Sequence, residues 1–157
     1  VKLMKTRGPC VVDNFLPLHK ATVHRTASQA SIDAGKAVTV LTYLRGTKEA
    51  EDAIDQLNAE GYDCDLVELT CLKPFDAETV RTSLARTHKV CILDESTRSG
   101  GVGATMSALV AETMFDELDA PVSRLCMEDA PVPYATEMER AMVKRAADLV
   151  EGVKAIC

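Results

Sequence analysis

The stretch Ala37-Val38-Thr39-Val40-Leu41-Thr42-Tyr43 decides the fold of this chain. It is a short run of apolar and β-branched residues that follows a Gly-Lys turn, and such a run is typical of a strand buried on both faces. A helix is predicted next, from Thr47 to Glu60, because apolar residues recur there at helical spacing and Gly61 follows as a natural stop. A strand followed by a helix is the unit from which parallel sheets are built.

The same alternation continues toward the carboxyl terminus. Short connections between the elements predict an α/β fold with three layers: a mainly parallel sheet of four or five strands, helices on both faces and right-handed crossovers. The further predicted strands are 64–69, 89–93 and 122–127. The further predicted helices are one capped by Asp76 and ending near Thr87, one carrying Met106, Leu109, Val110 and Thr113, and one from about Glu137 to Lys154, with Met142, Val143, Ala146, Leu149, Val150 and Val153 as an apolar stripe.

The first 35 residues show little periodicity. Pro9 and Pro17 interrupt them, and Thr26 to Ser31 resembles a flexible polar insertion. We therefore predict that residues 1–35 are a linker from another domain and that residues 36–157 form the domain itself. Because the chain begins at Val1 without an initiator methionine, we expect it to be part of a longer protein.

Composition narrows the classes of function. A chain of 157 residues has the size of one domain, and its hydrophobic fraction of 46% is ordinary for a globular protein. The formal net charge of -6 disfavours nucleic acids and favours basic partners. No apolar run approaches the roughly 20 residues that a membrane-spanning helix needs.

Six cysteines occur without a Cys-x-x-Cys pair, and three of them fall inside apolar strand-like runs. We predict free thiols, with those in strands buried, rather than disulfides or zinc ligands. The cysteines are Cys10, Cys64, Cys71, Cys91, Cys126 and Cys157.

Sites in parallel sheets lie beyond the carboxyl ends of the strands. A dinucleotide site at Gly101-x-Gly103 is disfavoured because Met106 stands where a third glycine belongs, so close packing of a helix explains the glycines better. Asp94 and Glu95 are adjacent on an extended segment and need not share a site, which favours a helix cap or a subunit contact over an acid/base pair. His19, His24 and His88 lack metal-like spacing.

Several segments, taken in order, resemble the beta subunit of the thiamin-dependent, decarboxylating component of pyruvate dehydrogenase complexes. Two of them also resemble the carboxy-terminal domain of transketolase-like enzymes in general, which implies that domain's fold. The segments are Phe15-Leu16-Pro17-Leu18-His19-Lys20-Ala21, 38–43, Leu72-Lys73-Pro74-Phe75-Asp76-x-Glu78-Thr79, Gly100-Gly101-Val102-Gly103-Ala104, Phe115-Asp116-x-Leu118-Asp119-Ala120-Pro121-Val122 and Asp129-x-Pro131-x-Pro133-Tyr134-Ala135.

The resemblance implies an enzyme of two alpha and two beta subunits that decarboxylates pyruvate with thiamin diphosphate and magnesium, leading to acetyl-CoA. In the family, the amino-terminal domain of the beta subunit supplies the activating glutamate, and the alpha subunit holds the diphosphate and magnesium. That amino-terminal domain is missing here, so we expect no catalytic, cofactor-binding or metal-binding residues in this chain, and no activity from the chain alone.

The implied role of this portion is assembly and docking. Its expected partners are the alpha subunit, a second beta subunit and the subunit-binding domain of the dihydrolipoyl acetyltransferase core. In the family that domain contacts the terminal carboxylate, here that of Cys157, and the acidic residue matching Asp119. Asp119 has an alternative role in capping the turn before Pro121.

Two other identities and several locations stay open. The chain is alternatively the carboxy-terminal domain of another transketolase-like or branched-chain 2-oxo acid dehydrogenase, although Arg45, its one candidate for a substrate phosphate, has no evident basic companion. It is alternatively a free-standing nucleotide-binding module. Phe15 to Ala21 and Thr87 to Val90 are similar to the plastid and cyanobacterial branch, which favours a plastid stroma over a mitochondrial matrix or a bacterial cytoplasm.

Overall fold

A computed structural model describes Pro17 and residues 19–157 of the chain. It contains five strands and six helices in the described residues, with one 3-10 turn at Phe115–Glu117. The strands are β1 Thr22–Arg25, β2 Ala37–Thr42, β3 Asp63–Glu68, β4 Val90–Thr97 and β5 Ser123–Met127. The helices are α1 Gln29–Asp33, α2 Arg45–Ala59, α3 Ala77–Thr87, α4 Val102–Thr113, α5 Thr136–Met142 and α6 Ala146–Lys154.

The strands form one sheet in the order β1-β3-β2-β4-β5. Strand β2 lies at its centre, and Val40 pairs with Leu66 on one side while Leu41 pairs with Ile92 on the other. Strands β2 to β5 are parallel, and β1 runs antiparallel to β3 at one edge. The predicted mainly parallel sheet is therefore confirmed.

Helices cover both faces of this sheet, which accounts for the complete burial of β2. On one face Val38 and Val40 pack with Ile54 of α2 and Leu149 of α6. On the other face Leu41 packs with side chains of α3 and α4. The three-layer arrangement follows from the alternation of side chains along a strand that has no polar face.

The break at residues 143–145 corrects one prediction. The single helix expected from about Glu137 to Lys154 is two helices, because Val143 adopts an extended conformation at the end of α5. Glu49 of α2 accepts a hydrogen bond from Ala146 N at 3.1 Å and pairs with Arg145 at 3.0 Å, which fixes the start of α6. Only the α6 half of the predicted stripe is a deeply buried helix face, and α5 buries no residue.

Regular structure also begins earlier than the sequence pattern indicates. Strand β1 and helix α1 lie inside the range predicted as a linker, and β1 pairs with β3. The polar stretch predicted as a flexible insertion contains Ala27, which is buried, and Ser28, which caps α1. Residues 1–16 and 18, including Pro9 and Cys10, lie outside the described residues, and the proposed linker role of this range stays a prediction.

A buried carboxylate attaches this first segment to the sheet. Asp65 of β3 is 1% exposed, and it accepts hydrogen bonds from Ala27 N at 2.7 Å and Ser83 Oγ at 2.6 Å. Both carboxylate oxygens receive Arg86 Nη1, at 3.1 and 3.0 Å, while Arg86 Nη2 donates to Ala27 O at 3.0 Å. A buried charge is tolerated where it is paired and hydrogen-bonded in this way.

The thiols agree with the prediction in the described part of the chain. The five cysteines there are free, and Cys64, Cys91 and Cys126, the three in strands, are buried. Burial raises the pKa of the Cys91 thiol to about 12. Among the described helices, none combines the length and the apolar character needed to cross a bilayer.

Asp65→Ala should lower the free energy of unfolding by about 3 kcal/mol, because it leaves Arg86 and Ala27 N without their partner. The matched control is Asp52→Ala, which removes the exposed pair of Lys48 and Asp52 and should cost less than about 1 kcal/mol. Urea unfolding followed by circular dichroism measures both. Equal losses in the two variants would show that the buried network does not hold the first segment.

Candidate functional site

The carboxyl ends of the parallel strands β2 to β5 meet at one side of the sheet, here called the carboxyl edge. It comprises Leu44 to Gly46 after β2, Thr70 to Lys73 after β3, the end of β4 from Asp94 onward, and Glu128 to Tyr134 after β5. This is where a parallel sheet places its sites. The polar side chains at this edge are therefore the candidates for a site.

Asp94 lies at the centre of the carboxyl edge and is 1% exposed. Its Oδ1 accepts from Tyr43 Oη at 2.6 Å and from Ser96 N at 2.9 Å. Its Oδ2 accepts from Ser96 Oγ at 2.5 Å and from Gly103 N, in the first turn of α4, at 2.6 Å. The carboxylate thus joins β4 to the first turn of α4 and to Tyr43, just after β2. For Asp94 this agrees with the helix cap, one of the two roles predicted.

These hydrogen bonds set the charge state of the pair. Burial alone would raise the pKa of Asp94, but the donors Ser96, Tyr43 and Gly103 outweigh it and hold that pKa below its ordinary value. Burial and the neighbouring Asp94 carboxylate raise the pKa of Tyr43 well above its ordinary value. Asp94 is therefore an ionised acceptor and Tyr43 a neutral donor at neutral pH.

The glycines before α4 allow this close approach. A Cβ on Gly103 would lie 2.7 Å from Asp94 Oδ2 and 3.1 Å from Asp94 Cβ. A Cβ on Gly101 would overlap Ser96 Oγ and the carbonyl oxygen of Thr97. Close packing thus explains both glycines, as predicted. The Asp94 carboxylate accepts a hydrogen bond from Gly103 N in the first turn of α4, where the dinucleotide hypothesis would have placed a pyrophosphate.

An ion-pair network surrounds the start of α2. Arg45 contacts Glu95 at 3.5 Å and Glu49 at 3.1 Å, and Arg145 contacts the same Glu49 oxygen at 3.0 Å. The prediction that Arg45 lacks a basic companion is therefore wrong, because Arg145 lies 100 positions later in the sequence and the fold brings it back. The charges of the two guanidinium groups are nevertheless balanced by the two carboxylates of Glu49 and Glu95.

Two of the three histidines, His24 and His88, make contacts within the described part of the domain. His24 pairs with Glu68 at 2.6 Å, and His88 lies at the corner after α3 with Nδ1 3.0 Å from the carbonyl oxygen of Glu117. His19 is exposed. No three His, Cys, Asp or Glu side chains in the described part of the chain are arranged to hold a metal ion.

The two residues predicted for docking lie at the opposite side of the sheet, beside the amino ends of the strands. Asp119 N donates to the carbonyl oxygen of His88 at 2.8 Å, just before β4. Cys157 ends the segment after α6; burial raises the pKa of its thiol, and the nearby Lys89 and Lys36 oppose that rise. Lys36 and Lys89 immediately precede β2 and β4, so both predicted residues flank the same edge.

Asp119 lines an apolar groove of about 550 Å³. Phe115, Leu118, Pro121 and Val122 line the groove as well, and Phe115 is 71% exposed. In the described part of the chain, the hydrogen bonds and ion pairs include none to the Asp119 carboxylate, so its proposed role in capping the turn has no contact to support it.

Acidic side chains accompany this groove in the sequence. Glu112, Asp116 and Glu117 precede Asp119, and the ion pairs of the described residues include none of these four carboxylates. We call Glu112, Phe115, Asp116, Glu117 and Asp119, with the groove, the acidic surface. Asp119 lines the apolar groove and the other three carboxylates are its neighbours in sequence, which suits a partner that presents cations beside an apolar group.

Comparison with known proteins gives a family match over most of the chain. The family model described as "Transketolase, C-terminal domain" matches residues 28–149. A pyruvate dehydrogenase E1 component subunit beta of Porphyra purpurea is 38% identical over 142 residues, which are 90% of this chain and 40% of that protein. A chloroplastic subunit beta-3 of Oryza sativa is 39% identical over 123 residues, 78% of this chain and 32% of that protein.

Solved structures share the fold. A split gene transketolase, described as an inactive beta4 tetramer, has a TM-score of 0.72 at 26% identity and covers 92% of this chain and 43% of its own. A 2-oxoglutarate:ferredoxin oxidoreductase from Magnetococcus marinus has a TM-score of 0.55 at 14% identity, over 92% of this chain and 20% of its own, which shows the fold alone. The chain spans about two fifths or less of the length of the curated relatives given above.

Tyr43→Phe should destabilise the protein by about 1.5 kcal/mol at pH 7, because it removes a donor to an ionised carboxylate. The lowered pKa of Asp94 makes the network stabilising above the ordinary carboxyl value of about 4, and this contribution is lost as the pH falls through the folded-state pKa. The difference between wild type and variant should therefore shrink in acid. Urea unfolding between pH 7 and pH 2.5 measures it.

The control for this experiment is Tyr62→Phe, because Tyr62 packs beside the core and under Lys36 rather than on a carboxylate. Its effect on stability should not depend on pH over this acidic range. A loss in Tyr43→Phe that is equally independent of pH would contradict the assigned role of the Asp94 network.

Proposed function

The chain belongs to the transketolase C-terminal domain family, and on that premise we propose that it is the carboxy-terminal domain of a pyruvate dehydrogenase beta subunit. Its role in this proposal is subunit assembly and docking to the dihydrolipoyl acetyltransferase core. The observation that carries the proposal is the 38% identity with the Porphyra purpurea beta subunit over 90% of this chain. Similar beta subunits of Staurastrum punctulatum and Arabidopsis thaliana support it.

The proposed complete enzyme decarboxylates pyruvate with thiamin diphosphate and magnesium and leads to acetyl-CoA. In this proposal no residue of the chain holds the cofactor. The engagement of Asp94, the most buried acid of the carboxyl edge, by four hydrogen bonds from within the domain supports this. We assign no step of the reaction to the residues of this chain. The cofactor belongs to the alpha subunit and to the amino-terminal domain of the beta subunit in this proposal.

Docking is assigned to the acidic surface. Asp119 combines a carboxylate open to solvent with an adjoining apolar groove, and the overall charge of -6 favours a cationic partner. A partner that presents lysine or arginine can form charge-assisted hydrogen bonds with such a carboxylate. The subunit-binding domain of the acetyltransferase core is the partner proposed on the family resemblance.

Cys157 is the second residue proposed for docking, through its terminal carboxylate. Lys36 and Lys89 lie within electrostatic reach of this residue, so cations of the chain itself already adjoin it. A cationic partner would have to compete with them there. We therefore assign the larger share of the docking energy to Asp119.

Assembly with other subunits is the second part of the proposal, with an alpha subunit and a second beta subunit as partners. The split gene transketolase supports it, because beta chains that share this fold over 92% of the present chain form a tetramer in that structure. The proposed location is the plastid stroma, supported by the chloroplastic relatives of Oryza sativa and Arabidopsis thaliana. A mitochondrial matrix or a bacterial cytoplasm is the alternative.

A transketolase-like synthase that binds a substrate phosphate is the other enzyme class. Arg45 and Arg145 would be the basic pair for such a site. Both contact Glu49, and Arg45 also contacts Glu95, so their charges are compensated within the domain. The surroundings of these arginines therefore favour the assembly and docking proposal.

Asp119→Asn should weaken binding of a plastid-type acetyltransferase subunit-binding domain by roughly 1 to 3 kcal/mol, and the affinity of the wild-type chain should fall as salt rises. The matched control is Glu128→Gln, which makes the same change of charge at an exposed position of the carboxyl edge, outside the acidic surface. Calorimetric titration of the domain into each form of the chain measures the three affinities.

Three results would contradict docking at this surface. The first is the absence of binding to the wild-type chain at any salt concentration. The second is an affinity that Asp119→Asn leaves unchanged. The third is an equal loss in both variants, which would reduce the effect to net charge alone.

A further inference from the structure

His88 joins the end of α3 to the acidic surface through two hydrogen bonds. Its Nδ1 lies 3.0 Å from the carbonyl oxygen of Glu117, and its own carbonyl oxygen accepts from Asp119 N at 2.8 Å. Both Glu117 and Asp119 belong to the acidic surface. The half-buried imidazole ring therefore lies beside that surface, although 29 positions separate His88 from Glu117 in the sequence.

The backbone holds the ring at this corner. The φ angle of His88 is 57°, in the left-handed region, and its N donates to Leu84 O at 2.7 Å at the end of α3. Histidine, asparagine and aspartate are the residues other than glycine that adopt this conformation most often. Ending the helix requires only the positive φ, which glycine would also supply. The contact of the ring with Glu117 is an additional feature, and it indicates a role for the imidazole itself.

The hydrogen bond to Glu117 determines where the ring takes up a proton. A carbonyl oxygen can only accept, so Nδ1 of His88 carries the hydrogen in the neutral ring. Within residues 19–157, no hydrogen bond involves its Nε2. Nε2 is therefore the atom that is protonated as the pH falls, and the ring then becomes a cation without losing its bond to Glu117.

The elements that meet at this corner carry charges of both signs. Arg81 of α3 donates to the carbonyl oxygen at the end of α4, Arg86 of α3 is paired with the buried carboxylate of β3, and Lys89 donates to the turn before β2. The carboxylates come from α4, the 3-10 turn and the segment before β5, and none of them joins an ion pair in the described part of the chain. They are Glu112, Asp116, Glu117 and Asp119.

Histidine is the side chain of this set that ordinarily changes its charge near neutral pH. Carboxylates ordinarily titrate near pH 4, and lysine and arginine above about pH 10. The Cys157 thiol flanks the same edge of the sheet, but burial raises its pKa, which keeps it uncharged near neutrality. Between about pH 6 and pH 8 the charge beside the acidic surface is therefore set by the His88 ring.

We propose that His88 makes docking at the acidic surface sensitive to pH, because the neutral ring permits binding of a cationic partner and the protonated ring opposes it. This inference rests on the docking function proposed above and adds a means of regulation to it. A protonated ring places a positive charge next to Asp119, where a lysine or arginine of the partner is proposed to bind. Repulsion between like charges at such a surface weakens binding by about three- to tenfold.

The test is calorimetric titration of a plastid-type acetyltransferase subunit-binding domain into the full chain at pH 6, 7 and 8. The wild-type affinity should fall about three- to tenfold from pH 8 to pH 6 relative to that of His88→Asn. Asparagine tolerates positive φ and keeps a hydrogen-bond donor but carries no charge, and thermal unfolding verifies that the variant is folded. Titration of the partner's own groups is common to both forms and cancels in the comparison.

His24→Asn is the matched control, because His24 lies on β1 at the far edge of the sheet and pairs with Glu68 at 2.6 Å. It should keep the pH dependence of the wild-type chain. A second measurement follows the His88 ring by NMR as the pH is changed. Because linkage is reciprocal, the bound partner must move the midpoint of that titration to lower pH. A merely structural role of His88 would change the affinity equally at every pH and would leave the midpoint in place.

Two results would overturn the proposal while leaving the docking function intact, provided that Asp119→Asn still weakens binding. One is the same pH dependence in the wild-type chain and in His88→Asn. The other is a midpoint of the ring titration that the partner does not move. Absence of binding to the wild-type chain at every pH would overturn the docking function and this inference together, so the two failures are distinguishable.

Discussion

The ionised carboxylate of Asp94 is the constraint on which the carboxyl edge of this domain depends. A charge that is 1% exposed must be satisfied from within, and the donors that satisfy it come from the end of β2, from the end of β4 and from the first turn of α4. This requirement fixes the path of the chain from β4 into α4 and demands glycine at position 103. It also fixes Tyr43, and through Tyr43 the turn that exposes Leu44.

Two further carboxylates act in the same way on the first described segment. Asp65 receives Ala27 N and Arg86, and Asp76, which is 8% exposed, receives Ala21 N at 2.9 Å while it caps α3. These buried acids therefore stabilise the fold rather than stand ready for chemistry. Among the described residues, the acids next to Phe115 in sequence take part in no ion pair and are free to meet a cationic partner.

The sequence predicted elements well where a strand is apolar throughout, as in β2, and where a helix has a local cap, as with Asp76. It missed β1, because a four-residue edge strand with mostly polar side chains has no distinctive period. It also missed the break before α6, which depends on Glu49 of α2. The sequence could not predict that Arg45 and Arg145 both contact Glu49, because tertiary structure brings these residues together. Asp119 and Cys157 were selected by family resemblance, and their role in docking stays a prediction.

The central claim is that the buried acids serve the fold, while the acidic surface is left for a cationic partner. The most direct measurement is a map of amide chemical shifts in the isotope-labelled chain as the acetyltransferase subunit-binding domain is added. The account predicts that the perturbed amides fall within residues 112–122 and the adjoining corner at His88 and Lys89. Perturbations centred on Leu44, Glu95 and Tyr134 instead would contradict it, because the cationic partner would then bind at the carboxyl edge and not at the acidic surface.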